Sequence, residues 1–133
     1  MIDIITFPNI IITKKLITQD LFVQVLGSLH NHSIYKENSL PVHNILDNSE
    51  YLLFCNKLSE IYGLPHYYTL TRTEKGFFYD CENNNGVRLL TKQEWEQHQE
   101  LFIKEPNFLE FVWEEQSSLI LYPNIGFRVC KNK

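Results

Sequence analysis

The chain has 133 residues, 44% of them apolar and 14% aromatic, with a net charge of −4 and a pI near 5.7. That length carries one core rather than two, and that apolar content excludes a disordered chain. The charge excludes a basic stripe for nucleic acid, and no apolar run approaches the ~18 residues of a membrane helix.

The N-terminus carries Asp3 and no basic leader, so the chain is expected to lack a signal peptide and to be cytoplasmic. Cys55, Cys81 and Cys130 are odd in number and widely spaced. They form no Cys-x-x-Cys pair for zinc or redox chemistry. There is no Ala, so helices must be held by packing rather than by propensity.

Ile2–Thr13 reads as two short strands about a turn at Pro8-Asn9. Thr18 caps a helix with Asp20 in its first turn. Its apolar stripe runs Leu21, Phe22, Val25, Leu26 and Leu29, with Gly27 interrupting it without having to end it. His30 to Pro41 reads as polar loop. A second helix starts at Ser49 and carries Tyr51, Phe54, Cys55, Leu58, Ile61 and Tyr62 on one side. Gly63 and Pro65 close it. His66–Thr73 and Phe77–Asp80 form a hairpin about Glu74-Lys75-Gly76, and Asn83–Gly86 is a further turn. Val87–Leu90 is a short strand. Thr91-Lys92-Gln93-Glu94 has the spacing of a capping box, opening a helix that bears Trp95, His98 and Phe102 and ends at Pro106. Phe108–Trp113, Leu119–Tyr122 and Gly126–Cys130 read as three strands. Helices first and clustered strands last give an α+β class, with two or three helices packed on a twisted antiparallel sheet.

Several segments, in order, resemble the sulfatase-modifying-factor family, that of the formylglycine-generating enzyme. Leu40-Pro41-Val42 is followed by Phe54-Cys55-Asn56-Lys57-Leu58-Ser59, similar to the family's Phe-Cys-Asn-Trp-Leu-Ser with Lys57 in place of Trp, and then by the strand Tyr68-Thr69-Leu70. Gly86-Val87-Arg88-Leu89-Leu90-Thr91-Lys92-Gln93-Glu94-Trp95-Glu96 looks like Gly-x-Arg-Leu-Pro-Thr-x-x-Glu-Trp-Glu, with Leu90 where Pro is usual. Asn107 to Trp113 resembles Asn-Val-Trp-Glu-Trp, and Gly126-Phe127-Arg128-Val129 the terminal Gly-Phe-Arg strand. The resemblance implies a compact C-type-lectin-like domain over most of the chain.

The departures bear on function. In the family, long segments lie before the Asn-containing strand and before Gly-Phe-Arg, the second carrying the paired copper-binding cysteines. Here ten residues separate Glu96 from Asn107, and ten separate Glu115 from Gly126, with no Cys. Cys130 follows Gly-Phe-Arg and matches no catalytic position. No catalytic residue is therefore assigned. Asn107 and Glu110 match positions near a calcium site in the family, which makes them candidate calcium ligands; otherwise no cofactor is expected. His30 and His32 could ligate a metal only with a third ligand that the sequence does not place beside them.

Arg88, Glu94, Trp95 and Glu96 are expected to act as a structural buttress that fixes the strand to its helix. From Gln93 to Gln116 the chain has seven Glu and one Lys, a local net of −6. Glu100, Glu105, Glu114 and Glu115 are the expected partner-binding residues, since acidic faces steer cationic partners. The function expected is a non-catalytic protein-binding module. Its concrete form is a small bacterial inhibitor or immunity-type protein for a basic toxin or enzyme, with neither nucleic acid nor membrane as partner. Two alternatives stand beside it: a reduced metal-dependent oxidase, and a lectin-like protein displaying loops Asn31–Leu40 and Asn83–Gly86 to a ligand.

Overall fold

The computed structural model describes residues 2–27, 37–43, 48–105, 107–111 and 125–133. Strands β1 (Ile4–Thr6) and β2 (Ile10–Thr13) form a hairpin across Phe7–Asn9, and helices α1 (Gln19–Leu26) and α2 (Asn48–Ile61) follow. The hairpin β3 (Tyr68–Thr73) and β4 (Gly76–Cys81) leads to β5 (Val87–Leu89), α3 (Lys92–His98) and a 3-10 turn, Gln99–Leu101. Strands β6 (Leu109–Phe111), β7 (Ile125–Phe127) and β8 (Val129–Asn132) complete an α+β fold.

The main sheet is antiparallel, in the order β1-β2-β8-β5, so the N-terminal hairpin pairs with the last strand of the chain. Residues opposite one another share a face. Ile11, Lys131 and Val87 lie on one side, and Ile12, Cys130 and Arg88 on the other. The first side meets α1 and α2 through a core of Phe22, Leu52, Phe54, Phe127 and Val129. There the rings of Phe22 and Phe54 stack at 5.5 Å, and the Tyr51 and Phe54 rings stand edge-on to Phe127. The second side meets α3 and the 3-10 turn through Ile10, Ile12, Leu90, Phe102 and Cys130. The sheet is thus a layer between two helical covers.

Three sequence expectations are corrected. Gly27 ends α1: it takes φ +86° and its N–H bonds the Val23 carbonyl at 2.7 Å, a left-handed cap that glycine adopts without strain. The third helix stops at His98 and tightens into the 3-10 turn well before Pro106. Gly126–Cys130 is not one strand. Arg128 breaks it, leaving β7 parallel to β6 and β8 antiparallel to β2. The strand expected at Leu119–Tyr122 and the anchor Trp113 lie outside the described residues.

The turn after β4 is fixed from both sides. Asn84 Nδ2 donates to the His66 carbonyl at 3.0 Å, and its Oδ1 accepts from Gly86 N–H at 2.8 Å. Any Cβ at Gly86 would stand 2.2 Å from the Pro65 oxygen, so only glycine permits this approach.

Candidate functional site

The surface around α3 starts from a local device. Thr91 Oγ1 accepts from Glu94 N–H at 3.2 Å, and the Glu94 carboxylate accepts from Thr91 N–H at 3.0 Å. The same carboxylate accepts two bonds from Arg88, at 2.7 and 2.6 Å. Arg88 also donates to the Leu89 carbonyl and to Asn132 Oδ1, and its guanidinium lies 5.7 Å from the Tyr67 ring centroid. One ion pair therefore ties β5 and β8 to the start of α3. Burial would raise the Glu94 carboxyl, but bonds from Arg88 and Thr91 outweigh it and hold the group below the usual carboxylate range. Burial would lower Arg88, and the bond from Glu94 reverses that to a net rise. Trp95 packs against the second core cluster, with the Lys104 ammonium 6.0 Å from its ring centroid.

Glu96 takes no part in this network. It is exposed, because a residue two places along a helix from Glu94 points away from it.

Glu94 links acidity to stability. A carboxylate whose pKa is lower when folded stabilises above its unfolded pKa, and that contribution fades as pH falls through the folded one. Glu94→Gln is expected to lower stability by about 1–3 kcal/mol at pH 7. The gap to the parent should shrink as pH falls below 4.5, the ordinary value of this group. Urea denaturation from pH 7 to 2.5 checks it, and a constant gap contradicts it.

Beyond the helix, burial alternates. Phe102 is buried, and the guanidinium of Arg128 sits 4.3 Å from its ring centroid. Its neighbours Leu101 and Ile103 are 58% and 38% exposed. Ile103 cannot swing inward, since its N–H bonds the Lys14 carbonyl and its carbonyl accepts from Arg128, both at 2.9 Å. Glu96 and Glu100 are exposed in the same stretch.

Glu105 is partly buried at a polar cleft of about 360 Å³, together with Lys15, Thr18, Asp20, Asn38 and Ser39. The far wall is held by the Thr18–Pro41 bridge and by Gln19, whose Oε1 accepts from Glu37 N–H. Lys15 is directed to Asp3 at 3.8 Å. The cleft therefore offers two carboxylates, Asp20 and Glu105, to a cationic side chain. Asp20 reads in sequence only as a first-turn acid; its place on the same cleft as Glu105 comes from the fold. Glu114 and Glu115 lie outside the described residues, as do His30 and His32.

Asn107 is exposed, whereas Glu110 bonds Arg128 Nε through one carboxylate oxygen. Its other oxygen is buried without a hydrogen-bond partner. Burial pushes the Glu110 carboxyl up, against the pull of Arg128. A calcium ion there would share its carboxylate with a guanidinium and would still need some five further oxygens. Among the described residues, no three His, Cys, Asp or Glu side chains are grouped to hold a metal. Cys55 and Cys130 are buried thiols, and burial pushes Cys130 up to about 12 and Cys55 well above its ordinary value. Cys81 is exposed. No described helix is long and apolar enough to cross a membrane.

No family model and no curated protein matches the chain. A solved structure, that of Treponema denticola variable protein 1, is similar, with a TM-score of 0.52 at 20% identity. The match covers 65% of this chain and 40% of that one, so the chain spans about two fifths of that protein's length. At this identity the likeness concerns the fold and carries no function.

Proposed function

We propose that the chain is a non-catalytic protein-binding module that captures a basic partner on the face formed by α3 and the 3-10 turn. The observation that carries this reading is the pair of exposed apolar side chains Leu101 and Ile103, in a stretch of chain that also bears Glu96, Glu100 and Glu105. An apolar centre inside a charged rim is the usual anatomy of a protein interface. The excess of Glu supplies steering for a cationic surface. The Asp20–Glu105 cleft is a receptacle for one Lys or Arg of that partner. A small cytoplasmic inhibitor or immunity-type protein against a basic toxin or enzyme is the form that fits best. The motif resemblance to the sulfatase-modifying-factor family supports a C-type-lectin-like scaffold for it, with the family's active-site segments reduced.

Co-purification from the cells that make the protein, followed by native mass spectrometry, supplies the partner. The decisive step is charge reversal on the purified pair. Glu100→Lys with Glu105→Lys is expected to weaken binding roughly 10- to 100-fold, to slow association, and to flatten its salt dependence. Leu101→Ala should act mainly on dissociation, at a cost of more than ~1 kcal/mol. Leu101 and Glu100 are exposed, so melting temperatures should hold in their single variants. An affinity unmoved by the double reversal and by Leu101→Ala sinks the assignment.

A further inference from the structure

The other side of the main sheet carries a second feature. Helix α2 packs over β5. Between its C-terminal end and the β1–β2 hairpin runs an apolar trough of about 370 Å³. Ile4, Ile11 and Val129 line it from the sheet; Leu58, Tyr62 and Leu64 line it from the end of α2 and the turn beyond. Ile4 and Tyr62 at its rim are more than half exposed.

One residue breaks the pattern. Lys131 stands on this apolar side of the central strand β8, directly between Ile11 of β2 and Val87 of β5. Among the described lining residues it is the single charged side chain, and it is partly buried. Its charge has no ion-pair partner among the described residues: the carboxylates that pair with cations there, Asp3, Glu60, Glu94 and Glu110, pair with other residues. A partly desolvated ammonium without a counter-ion is unfavourable, and a bound anion would reverse that.

We infer that this trough binds a linear monocarboxylic acid of medium chain length, its chain along Ile4, Ile11, Leu58 and Leu64 and its carboxylate on Lys131. The volume lies at the lower end of small-molecule sites, which suits one acyl chain rather than a two-chain lipid. One ammonium matches a monoanion. A phosphate dianion would call for several donors, which this lining does not supply. The inference is independent of the protein-binding face, which lies across the sheet.

The full chain is titrated calorimetrically with decanoate below its micellar concentration, with decan-1-ol and decyltrimethylammonium in parallel. Saturable one-to-one binding of decanoate is expected, about tenfold tighter than decanol. Lys131→Gln should erase that preference while keeping decanol binding. Ile4→Glu, at an exposed position, should weaken decanoate by placing a like charge in the trough. Methyl NMR shifts should centre on Ile11, Val87 and Val129. The inference is overturned if decanoate fails to saturate, if Lys131→Gln keeps the preference, or if the shifts fall on Leu101 and Ile103. Self-association that Ile4→Glu abolishes, without decanoate binding, would assign the trough to a second copy of the chain and overturn it equally.

Discussion

Replacing Arg128 by Met is expected to cost about 3–5 kcal/mol. Arg128 is 2% exposed, yet every part of its guanidinium is engaged. Nε donates to Glu110, Nη1 to the Lys14 carbonyl at 2.6 Å and more distantly to Thr13, and Nη2 to the Ile103 carbonyl at 2.9 Å. The group thereby joins the end of β2, the exit of the 3-10 turn and β6. Methionine fills much of the volume but leaves the buried Glu110 carboxyl without its partner and takes a donor from the Thr13 and Ile103 carbonyls, while the Lys14 carbonyl keeps only the Ile103 N–H. For a chain of this size the loss is roughly 10–20 °C in melting temperature. Arg128→Lys should rescue little, because three donors on a compact ammonium cannot span acceptors on three segments. Arg128→Met with Glu110→Leu should recover part of the loss, since it removes the stranded carboxylate but not the unmet carbonyls. Thermal and urea denaturation of the four proteins check this. A cost below ~1 kcal/mol for Arg128→Met would show that water reaches Glu110 and that the buried pair is not what joins these segments.

The same side chain shows where reading from sequence stops. Gly126-Phe127-Arg128-Val129-Cys130 looks like one strand, since apolar residues flank Arg128 on both sides. Its partners decide otherwise. Phe127 faces the α1–α2 core and pairs with β6, whereas Cys130 pairs with Ile12. Arg128 sits at the change of partner, and its acceptors at positions 13, 14, 103 and 110 are far away in sequence. The parallel pairing of β6 with β7 has a partial signal: thirteen residues separate Phe111 from Ile125, enough for the crossover that parallel strands need.

Devices closed within a few residues were legible. The Thr91–Glu94 spacing yields a capping box because both partners lie in one turn. Gly63 and Pro65 mark the end of α2 because a left-handed glycine and a missing N–H act locally. At Gly27 the sequence is ambiguous because Leu29 continues the apolar period beyond it. Nothing within the helix itself says whether its glycine is helical or left-handed. At the proposed binding face, the excess of Glu from 93 to 116 is visible in sequence. The outward turn of Leu101 and Ile103 is not, because it depends on Phe102 being drawn inward against Ile12, Leu90 and Cys130. Lys131 was unremarkable until the register put it between Ile11 and Val87.

Asn56→Ala is expected to cost about 2–4 kcal/mol, because one side chain serves two buried backbone groups. Asn56 is itself buried on α2. Its Nδ2 donates to the Tyr68 carbonyl at 2.8 Å, and its Oδ1 accepts from Tyr68 N–H at 3.3 Å. At Tyr68, therefore, Asn56 serves as the partner of β3 on the edge away from β4. The linkage continues from there. The Tyr68 hydroxyl accepts from Leu89 N–H at 2.9 Å. Ser59 Oγ accepts from Val87 N–H at 2.8 Å and donates to the Cys55 carbonyl at 2.9 Å. Buried polar groups of α2 and β3 thus take up backbone donors of β5, the strand that carries Arg88. The neighbouring Lys57 is exposed and pairs with Glu60 at 3.3 Å, so within the Phe54–Ser59 motif it alone faces water. Alanine strands both Tyr68 groups in a site too apolar to hydrate them cheaply. Asn56→Asp is the sharper variant. At neutral pH it sets a buried charge against the Tyr68 carbonyl, and on protonation it regains a donor. Its pKa is therefore higher folded than unfolded, and its stability relative to the parent should improve as pH falls from 7 towards 4. Denaturation across that range, with hydrogen exchange at the Tyr68 and Leu89 amides, reads out both effects. If Asn56→Ala costs under ~1 kcal/mol and both amides keep their protection, then β3 is held by its pairing with β4, and α2 contributes packing without this polar lock.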